Sequence, residues 1–131
     1  CLVIAIGMKG FQLKPKQQNL VAILQKDAAS PAFLVTVNIE DRVMTVQPVA
    51  AKPQPGKSYE LWLVQDSLGA PKSLGVITEN KYMTRPALAA YKRNVIESAT
   101  FAVSLEPEGG SPTGVPTGPV VFTGKLIPTT R

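Results

Sequence analysis

The sequence contains no histidine among its 131 residues, and this absence limits the chemistry that the chain can perform. Histidine is the usual general base near neutral pH, the partner of the nucleophile in Ser-His-Asp and Cys-His sites, and the commonest transition-metal ligand. The single cysteine, Cys1, has no partner for a disulfide or a zinc cluster. No aspartate run has EF-hand spacing. We therefore expect no catalytic centre, no metal site and no cofactor.

The carboxylates and the serine near residue 105 are the remaining candidates for chemistry. Glu106 and Glu108 are two residues apart, and neighbouring carboxylates can split their pKa values into an acid and a base, as in glycosidases. Ser104 could act as a nucleophile with a lysine, but no spacing supports that pair. We favour a structural role, in which Glu106 accepts N–H bonds from Gly109 or Gly110 and fixes the following loop.

Ligands that contain phosphate are not indicated by the sequence. Residues 118–125 approach a phosphate-loop pattern, but the two glycines are one residue too far apart, and Leu126 stands where Ser or Thr must bind magnesium. The net charge of +5 comes from basic residues scattered along the chain, with few aromatics among them. A nucleic-acid interface usually concentrates such charges on one face. We expect no nucleotide site and no nucleic-acid partner.

The most unusual passage is EGGSPTGVPTGP, residues 108–119, in which Pro-Thr-Gly occurs twice. The triplets Pro112 to Gly114 and Pro116 to Gly118 place Pro and Gly at positions i+1 and i+3 of a type I turn. The repeat, with strands predicted on both sides, favours an ordered loop over a flexible linker. Such a loop would be a binding surface or a rigid cover over the core near Trp62.

The composition predicts one small β-rich domain. Apolar residues make up 44% of the chain and charged residues 18%, while 12 Pro and 10 Gly mostly separate short apolar runs. Residues 58–65 are apolar on both faces, as in a central strand, and Gly75 indicates a bulge. We predict an all-β fold, an antiparallel β-sandwich of about seven strands with one short helix near residues 86–94. The predicted strands are residues 19–25, 33–39, 43–49, 58–65, 72–78, 100–107 and 119–127.

The first eight residues, CLVIAIGM, form an apolar run that is too short to cross a bilayer, which takes about 20 residues. This run could be the distal end of a membrane helix, a buried first strand or a docked helix. A lipidated Cys1 is disfavoured, because an apolar run follows where a polar tether would be expected. The domain predicted from the strands spans residues 19–131.

Three segments together resemble the C-terminal domain of the anti-sigma-K factor family. They are GKSYELWLV at 56–64, PKSLGVI at 71–77 and FAVSLEPEGGSPTGVPTGPVVFTGKL at 101–126, and the likeness extends over about residues 20–127. The last segment is long and idiosyncratic, so the resemblance is specific. The motif positions that we single out are Glu60, Trp62, Glu106, Gly109, Gly110, Pro112, Gly114, Pro116 and Gly118.

The resemblance implies a regulatory role rather than an enzymatic one. Members of the family are bacterial single-span proteins of the cytoplasmic membrane, with a cytoplasmic part that sequesters an extracytoplasmic-function sigma factor. Their C-terminal domain lies on the extracytoplasmic, periplasmic side. Residues 1–8 would then be the outer end of the membrane helix and residues 9–18 the juxtamembrane link. Site-specific proteases would be further partners. The sigma-binding segment itself is absent from this chain, and a homodimer is left open.

Two other readings remain open. The chain could be a secreted or periplasmic β-sandwich for adhesion or carbohydrate binding, and a cleavable signal peptide upstream would indicate this class. An enzyme that uses Glu106 or Ser104 is disfavoured, because neither residue has a suitable catalytic partner in the sequence.

Overall fold

The computed structural model describes residues 19–26, 31–52, 54–77, 83–85 and 87–128. Within these ranges lie nine strands, one short α-helix, α1 (Arg93–Ser98), and a 3₁₀ turn (Asp66–Leu68). The strands are β1 (Asn19–Gln25), β2 (Pro31–Asn38), β3 (Val43–Pro48), β4 (Lys57–Val64), β5 (Lys72–Ile77), β6 (Met83–Arg85), β7 (Thr100–Pro107), β8 (Val120–Lys125) and β9 (Ile127–Pro128).

All the paired strands form one antiparallel sheet in the order β5-β4-β7-β8-β1-β2-β3-β6. The short strand β9 also pairs with β1. The prediction of an all-β antiparallel fold is therefore confirmed. The sheet has two halves, β5-β4-β7-β8 and β1-β2-β3-β6. Among the described residues, β8 joins β1 through a single pair, Gln25 with Thr123. So narrow a junction allows the two halves to fold towards each other.

Aromatic contacts show that the sheet does fold over itself. The rings of Phe33 on β2 and Tyr59 on β4 lie with their centroids 5.5 Å apart, although three strands separate β2 from β4 in the sheet. Phe33 also meets Phe122 of β8 edge to face, at 5.9 Å. The predicted sandwich is thus built as two layers of one hydrogen-bonded sheet, which gives the domain a nearly closed, barrel-like form.

The hydrophobic core lies between the two layers. In β1 and β3 alternate residues are buried in it, because successive side chains of a strand point to opposite faces. Burial of these apolar side chains is the main favourable contribution to folding. The largest fully buried members are Leu24, Phe33, Val35, Ile39, Met44, Leu61, Leu63, Leu88, Ile96 and Phe101.

Several local predictions are confirmed by the strand register. Strands β2 and β3 form the predicted hairpin. Strand β4 lies between β5 and β7 and is buried on both faces from Glu60 to Leu63. In the β4–β5 pair, Leu61 faces Gly75 while Trp62 faces Ser73, so that one residue of β5 is unmatched. This is the bulge that Gly75 predicts.

The short helix lies further along the chain than predicted. Residues 87–90 form a turn, and α1 begins only at Arg93, after Lys92 in an extended conformation. Leu88 in the turn and Ile96 in the helix are both completely buried in the core. Tertiary packing of this kind overrides local helix propensity, which by itself determines the position of a helix only weakly.

Candidate functional site

Strands β4 and β7 carry a second set of buried side chains on the face opposite to the core. In their register Glu60 lies opposite Ser104, and Trp62 lies opposite Ala102. The exposed fractions are 0% for Trp62, Ser104 and Glu106 and 7% for Glu60. We call these four residues, together with the loop of residues 108–119, the outer polar layer. A buried face with two carboxylates needs hydrogen-bond partners for them, because an unpartnered buried charge is very unfavourable.

A chain of hydrogen bonds joins the indole of Trp62 to the carboxylate of Glu106. The indole N–H donates to the Ser104 hydroxyl at 2.8 Å, and that hydroxyl donates to Oε2 of Glu106 at 2.5 Å. A serine hydroxyl can do both at once, since it has one proton and two lone pairs. Ser104 therefore provides a hydrogen-bond acceptor for the indole and a hydrogen-bond donor for the carboxylate.

The same carboxylate holds the end of the loop. Glu106 accepts the backbone N–H of Thr117 at 3.1 Å, the Thr117 hydroxyl at 2.5 Å and the backbone N–H of Gly118 at 3.3 Å. Gly118 must be glycine for a spatial reason, because a Cβ there would lie 1.8 Å from the carbonyl oxygen of Leu105. The loop thus packs directly on the backbone of β7.

The prediction that Glu106 fixes the loop through backbone N–H groups is correct, but the donors that we predicted are wrong. The N–H of Gly109 donates to the Ser58 hydroxyl at 3.0 Å, and the N–H of Gly110 donates to the carbonyl of Pro107 at 2.9 Å. These bonds close the turn that follows β7. The Glu106 carboxylate is therefore available to accept hydrogen bonds from residues 117 and 118. The carboxylate therefore holds the far end of the loop and not its beginning.

Glu60 holds the beginning of the loop. Its Oε1 accepts the backbone N–H of Ser111 at 2.7 Å, and its Oε2 accepts the hydroxyl of Ser73 at 2.5 Å. Beside it, a Cβ on Gly110 would lie 3.1 Å from Oε1 of Glu60 and 2.9 Å from a methyl group of Val76, at a φ of +111°. The sequence analysis identified Glu60 as a motif position but assigned it no role. The feature that could have indicated this role is a carboxylate within a strand that has apolar residues on both faces.

Electrostatics show that Glu106 is held as an anion. Burial by itself raises the pKa of Glu106, but the hydrogen bonds from Ser104, Thr117 and Gly118 outweigh this effect and hold the pKa below the ordinary 4.5. Hydrogen bonds to the charged form of a carboxyl group favour that form. Glu106 is therefore ionised at neutral pH and acts as an acceptor for the loop.

The interior of the loop is ordered by hydroxyl groups. The Ser111 hydroxyl donates to the carbonyl of Val115 at 2.5 Å, and the Thr113 hydroxyl donates to the same carbonyl at 3.2 Å. No backbone i to i+3 hydrogen bond closes either Pro-Thr-Gly triplet within residues 111–118. The ordered loop is confirmed, but side chains, and not two hydrogen-bonded type I turns, hold it. Of its motif prolines, Pro112 is exposed and Pro116 half-buried.

This arrangement can hold a loop but offers no free group for chemistry. Glu106 is buried while Glu108 is exposed, so the two carboxylates do not converge as an acid and base pair. The acceptor and donor functions of Ser104 are both in use. In the described ranges no group of three or more Cys, Asp or Glu residues comes together as metal ligands would.

The described residues also include no helix with the length and apolar character needed to cross a bilayer. Residues 1–18, on which the predicted outer end of a membrane helix and its link depend, lie outside the described ranges. The prediction for these residues therefore remains a prediction.

Comparison with known proteins gives one match. The family model described as the C-terminal domain of the anti-sigma-K factor rskA matches residues 1–120, which include β1 to β7 and the whole carboxylate-held loop. No curated protein and no solved structure matches the chain. The match covers most of the 131 residues and agrees with the resemblance of residues 56–64, 71–77 and 101–126. This chain therefore belongs to the anti-sigma-K factor family and contains its C-terminal domain.

Proposed function

We propose that this chain is the extracytoplasmic regulatory domain of a membrane-anchored anti-sigma factor. Its cytoplasmic part, outside this chain, would sequester an extracytoplasmic-function sigma factor. The observation that carries the proposal is the family match over residues 1–120. Residues 1–8 would be the outer end of a membrane span in the bacterial cytoplasmic membrane, residues 9–18 the link, and residues 19–131 the folded domain.

The geometry of the outer polar layer supports a regulatory role. Glu60 and Glu106 both accept hydrogen bonds from the loop, so the two carboxylates singled out as motif positions hold the loop on the sheet. Such a domain would transmit a signal through its folded state or its binding partners. Cleavage by site-specific proteases outside and then inside the membrane would release the sigma factor.

The alternative, a carbohydrate-binding or adhesion module, finds no support at Trp62. Sugar recognition commonly uses the face of an exposed aromatic ring, but Trp62 is completely buried and its N–H is bound to Ser104. Trp62 therefore has no face available to a ligand.

The proposal can be tested with the complete gene product. Alkaline phosphatase, which folds only outside the cytoplasm, and green fluorescent protein, which fluoresces only inside it, would each be fused after Arg131. We expect active phosphatase and dark fluorescent protein, and we expect a sigma factor to co-purify with the complete product but not with residues 19–131. Fluorescent fusions, or a processed product released into the medium without any sigma factor, would contradict the proposal.

Matched variants would connect the outer polar layer to regulation. Glu106→Gln removes the buried charge and replaces one acceptor oxygen with an NH₂ donor that would face the donors of the loop, whereas Glu108→Gln changes the neighbouring exposed carboxylate. If the folded domain protects the anti-sigma factor from proteolysis, Glu106→Gln shortens its lifetime and raises sigma-dependent transcription, while Glu108→Gln leaves both unchanged. Equal sigma-dependent transcription in the two variants would contradict the idea that the folded domain protects the anti-sigma factor from proteolysis.

A further inference from the structure

Two depressions with shared lining residues lie apart from the outer polar layer, and we call them together the groove. Their volumes are about 460 and 440 Å³, and both are lined by Gln54, Tyr59 and Phe122. One extends over Val120 to Thr123 of β8, and the other over residues 49–52 that follow β3. Each volume falls within the range of roughly 300–1,000 Å³ that is typical of small-molecule sites.

The floor of the groove is aromatic and aliphatic. Tyr59 and Phe122 lie 5.9 Å apart between ring centroids, and the Tyr59 hydroxyl donates to the carbonyl of Lys52 at 2.7 Å. That bond fixes the ring and uses the proton of the hydroxyl. Val49 and Val120 stand at the rim with 54% and 51% of their surfaces exposed. Large apolar side chains exposed beside a concave apolar floor indicate a surface that gains from being covered.

The charged side chains among the described residues that line the groove have one sign. Lys26 lines one depression and Lys52 the other, and these described lining residues include no acidic one. Among the described residues, the ion pairs formed are those of Arg93 with Glu40 and Glu97, so neither lysine is neutralised by a described carboxylate. Lysine stems can lie along apolar surface while the ammonium group remains in water. The groove therefore complements a molecule with an apolar body and an anionic end.

We propose that this groove binds a single-chain carboxylic acid of the fatty-acid type. Its hydrocarbon chain would lie on Tyr59 and Phe122, and its carboxylate would meet the ammonium group of Lys26 or Lys52. An extended peptide fits less well, because each of its backbone N–H and C=O groups needs a partner. Among the described lining residues, the uncharged polar side chains are those of Gln25, Gln54, Tyr59 and Thr123, and the Tyr59 proton is already donated to Lys52. A hydrocarbon chain needs no such partners, and the proposal is independent of the sigma-factor role.

The test is binding of dodecanoate to the full 131-residue chain, below the concentration at which dodecanoate forms micelles. We expect saturable binding by calorimetry, with NMR shift changes concentrated at residues 49–52 and 120–123. Dodecylammonium has the same chain with the opposite charge, and we expect it to bind about tenfold or more weakly. Equal binding of the two amphiphiles, shift changes elsewhere, or binding only of an acidic peptide would each overturn the proposal.

Charge-reversal variants with a matched control complete the test. The double variant Lys26→Glu with Lys52→Glu should weaken dodecanoate binding about tenfold or more. The double variant Lys72→Glu with Lys125→Glu alters exposed lysines outside the groove by the same net charge and should bind as the unchanged protein does. Val49→Glu, which places an acid on an exposed rim, should weaken binding without unfolding the domain. Unchanged binding in both groove variants would overturn the proposal.

Discussion

The core between the sheet layers and the four buried side chains of the outer polar layer are both shielded from water but are held together differently. Phe33 and Phe101 in the core are 2% and 0% exposed and meet other apolar side chains. Trp62, Ser104 and Glu106 in the outer polar layer are each 0% exposed and are joined by directional hydrogen bonds. Apolar packing tolerates small adjustments, whereas a hydrogen bond is lost once its geometry fails.

This difference means that the outer polar layer is stable only when all of its hydrogen bonds are formed together. Every buried side-chain nitrogen and oxygen in the described residues has a hydrogen-bond partner. Because a buried polar atom that loses its partner costs about 1–3 kcal/mol, each member depends on the others. In the core, the loss of a side chain costs stability in proportion to the volume removed.

The largest expected loss of stability comes from a substitution in the hydrophobic core. Phe101→Ala removes a completely buried ring, and the lost burial together with the cavity should lower the free energy of unfolding by about 3–5 kcal/mol. Urea unfolding followed by circular dichroism measures this change. As a control, Val115→Ala, on a side chain that is 39% exposed, should change the value by less than about 0.5 kcal/mol. Similar effects for the two variants would mean that the ring at position 101 is not in the core.

The next effect tests how closely the loop packs on β7. Gly118→Ala introduces a Cβ 1.8 Å from the Leu105 carbonyl oxygen, so the loop must move away, at a cost of about 2–3 kcal/mol. Gly114 has a φ of +85° but open space around it, and Gly114→Ala should cost only about 1 kcal/mol. The unfolding midpoints of the two variants separate the cost of a steric clash at position 118 from the cost of a positive φ at position 114. A larger loss at position 114 would contradict the close packing.

A smaller effect separates the hydrogen-bond chain from the packing around it. Ser104→Ala leaves the Trp62 indole N–H without its acceptor, and we expect a loss of about 2 kcal/mol. A double-mutant cycle with Trp62→Phe tests the cause, because the two losses should be non-additive by about 1 kcal/mol if they report the same bond. Additive losses would show that the indole and the hydroxyl contribute independently.

The smallest effect is the dependence of stability on pH. Because the pKa of Glu106 is lowered in the folded protein from 4.5, its contribution to stability is complete above the unfolded pKa and is lost as the pH falls through the folded pKa. The advantage of the unchanged protein over Glu106→Gln should therefore shrink below about pH 4.5. Glu108→Gln should follow the unchanged protein. Unfolding curves between pH 7 and pH 3 measure the difference, and a constant gap would contradict the lowered pKa.

Elements that depend on neighbouring residues could be predicted from the sequence. Strand β1 lies at the predicted residues 19–25, and the hairpin of β2 and β3 lies within two residues of its predicted limits. The period-two alternation that identifies such strands is a local property. The position of α1 was predicted less well, because it depends on where Leu88 and Ile96 meet the core.

In the outer polar layer, the sequence indicated the carboxylate that holds the loop but not its donors. Gly109 and Gly110 are next to Glu106 in sequence, yet Thr117 and Gly118 are next to it in space. The role of Glu60 as a second acceptor depends on the pairing of β4 with β7, in which Glu60 lies opposite Ser104, 44 positions further along the chain (104 − 60).

The sequence by itself determined the all-β class, most strand positions and the family, because alternating apolar residues, turn residues and a long specific motif can be read along the chain. Only the tertiary structure decided which donors meet Glu60 and Glu106, why Gly118 must lack a side chain, and that Tyr59 and Phe122 share a groove between two lysines. The physical reason is that each of these contacts joins residues far apart in the chain, and their distances are set by how the single sheet folds over its own core.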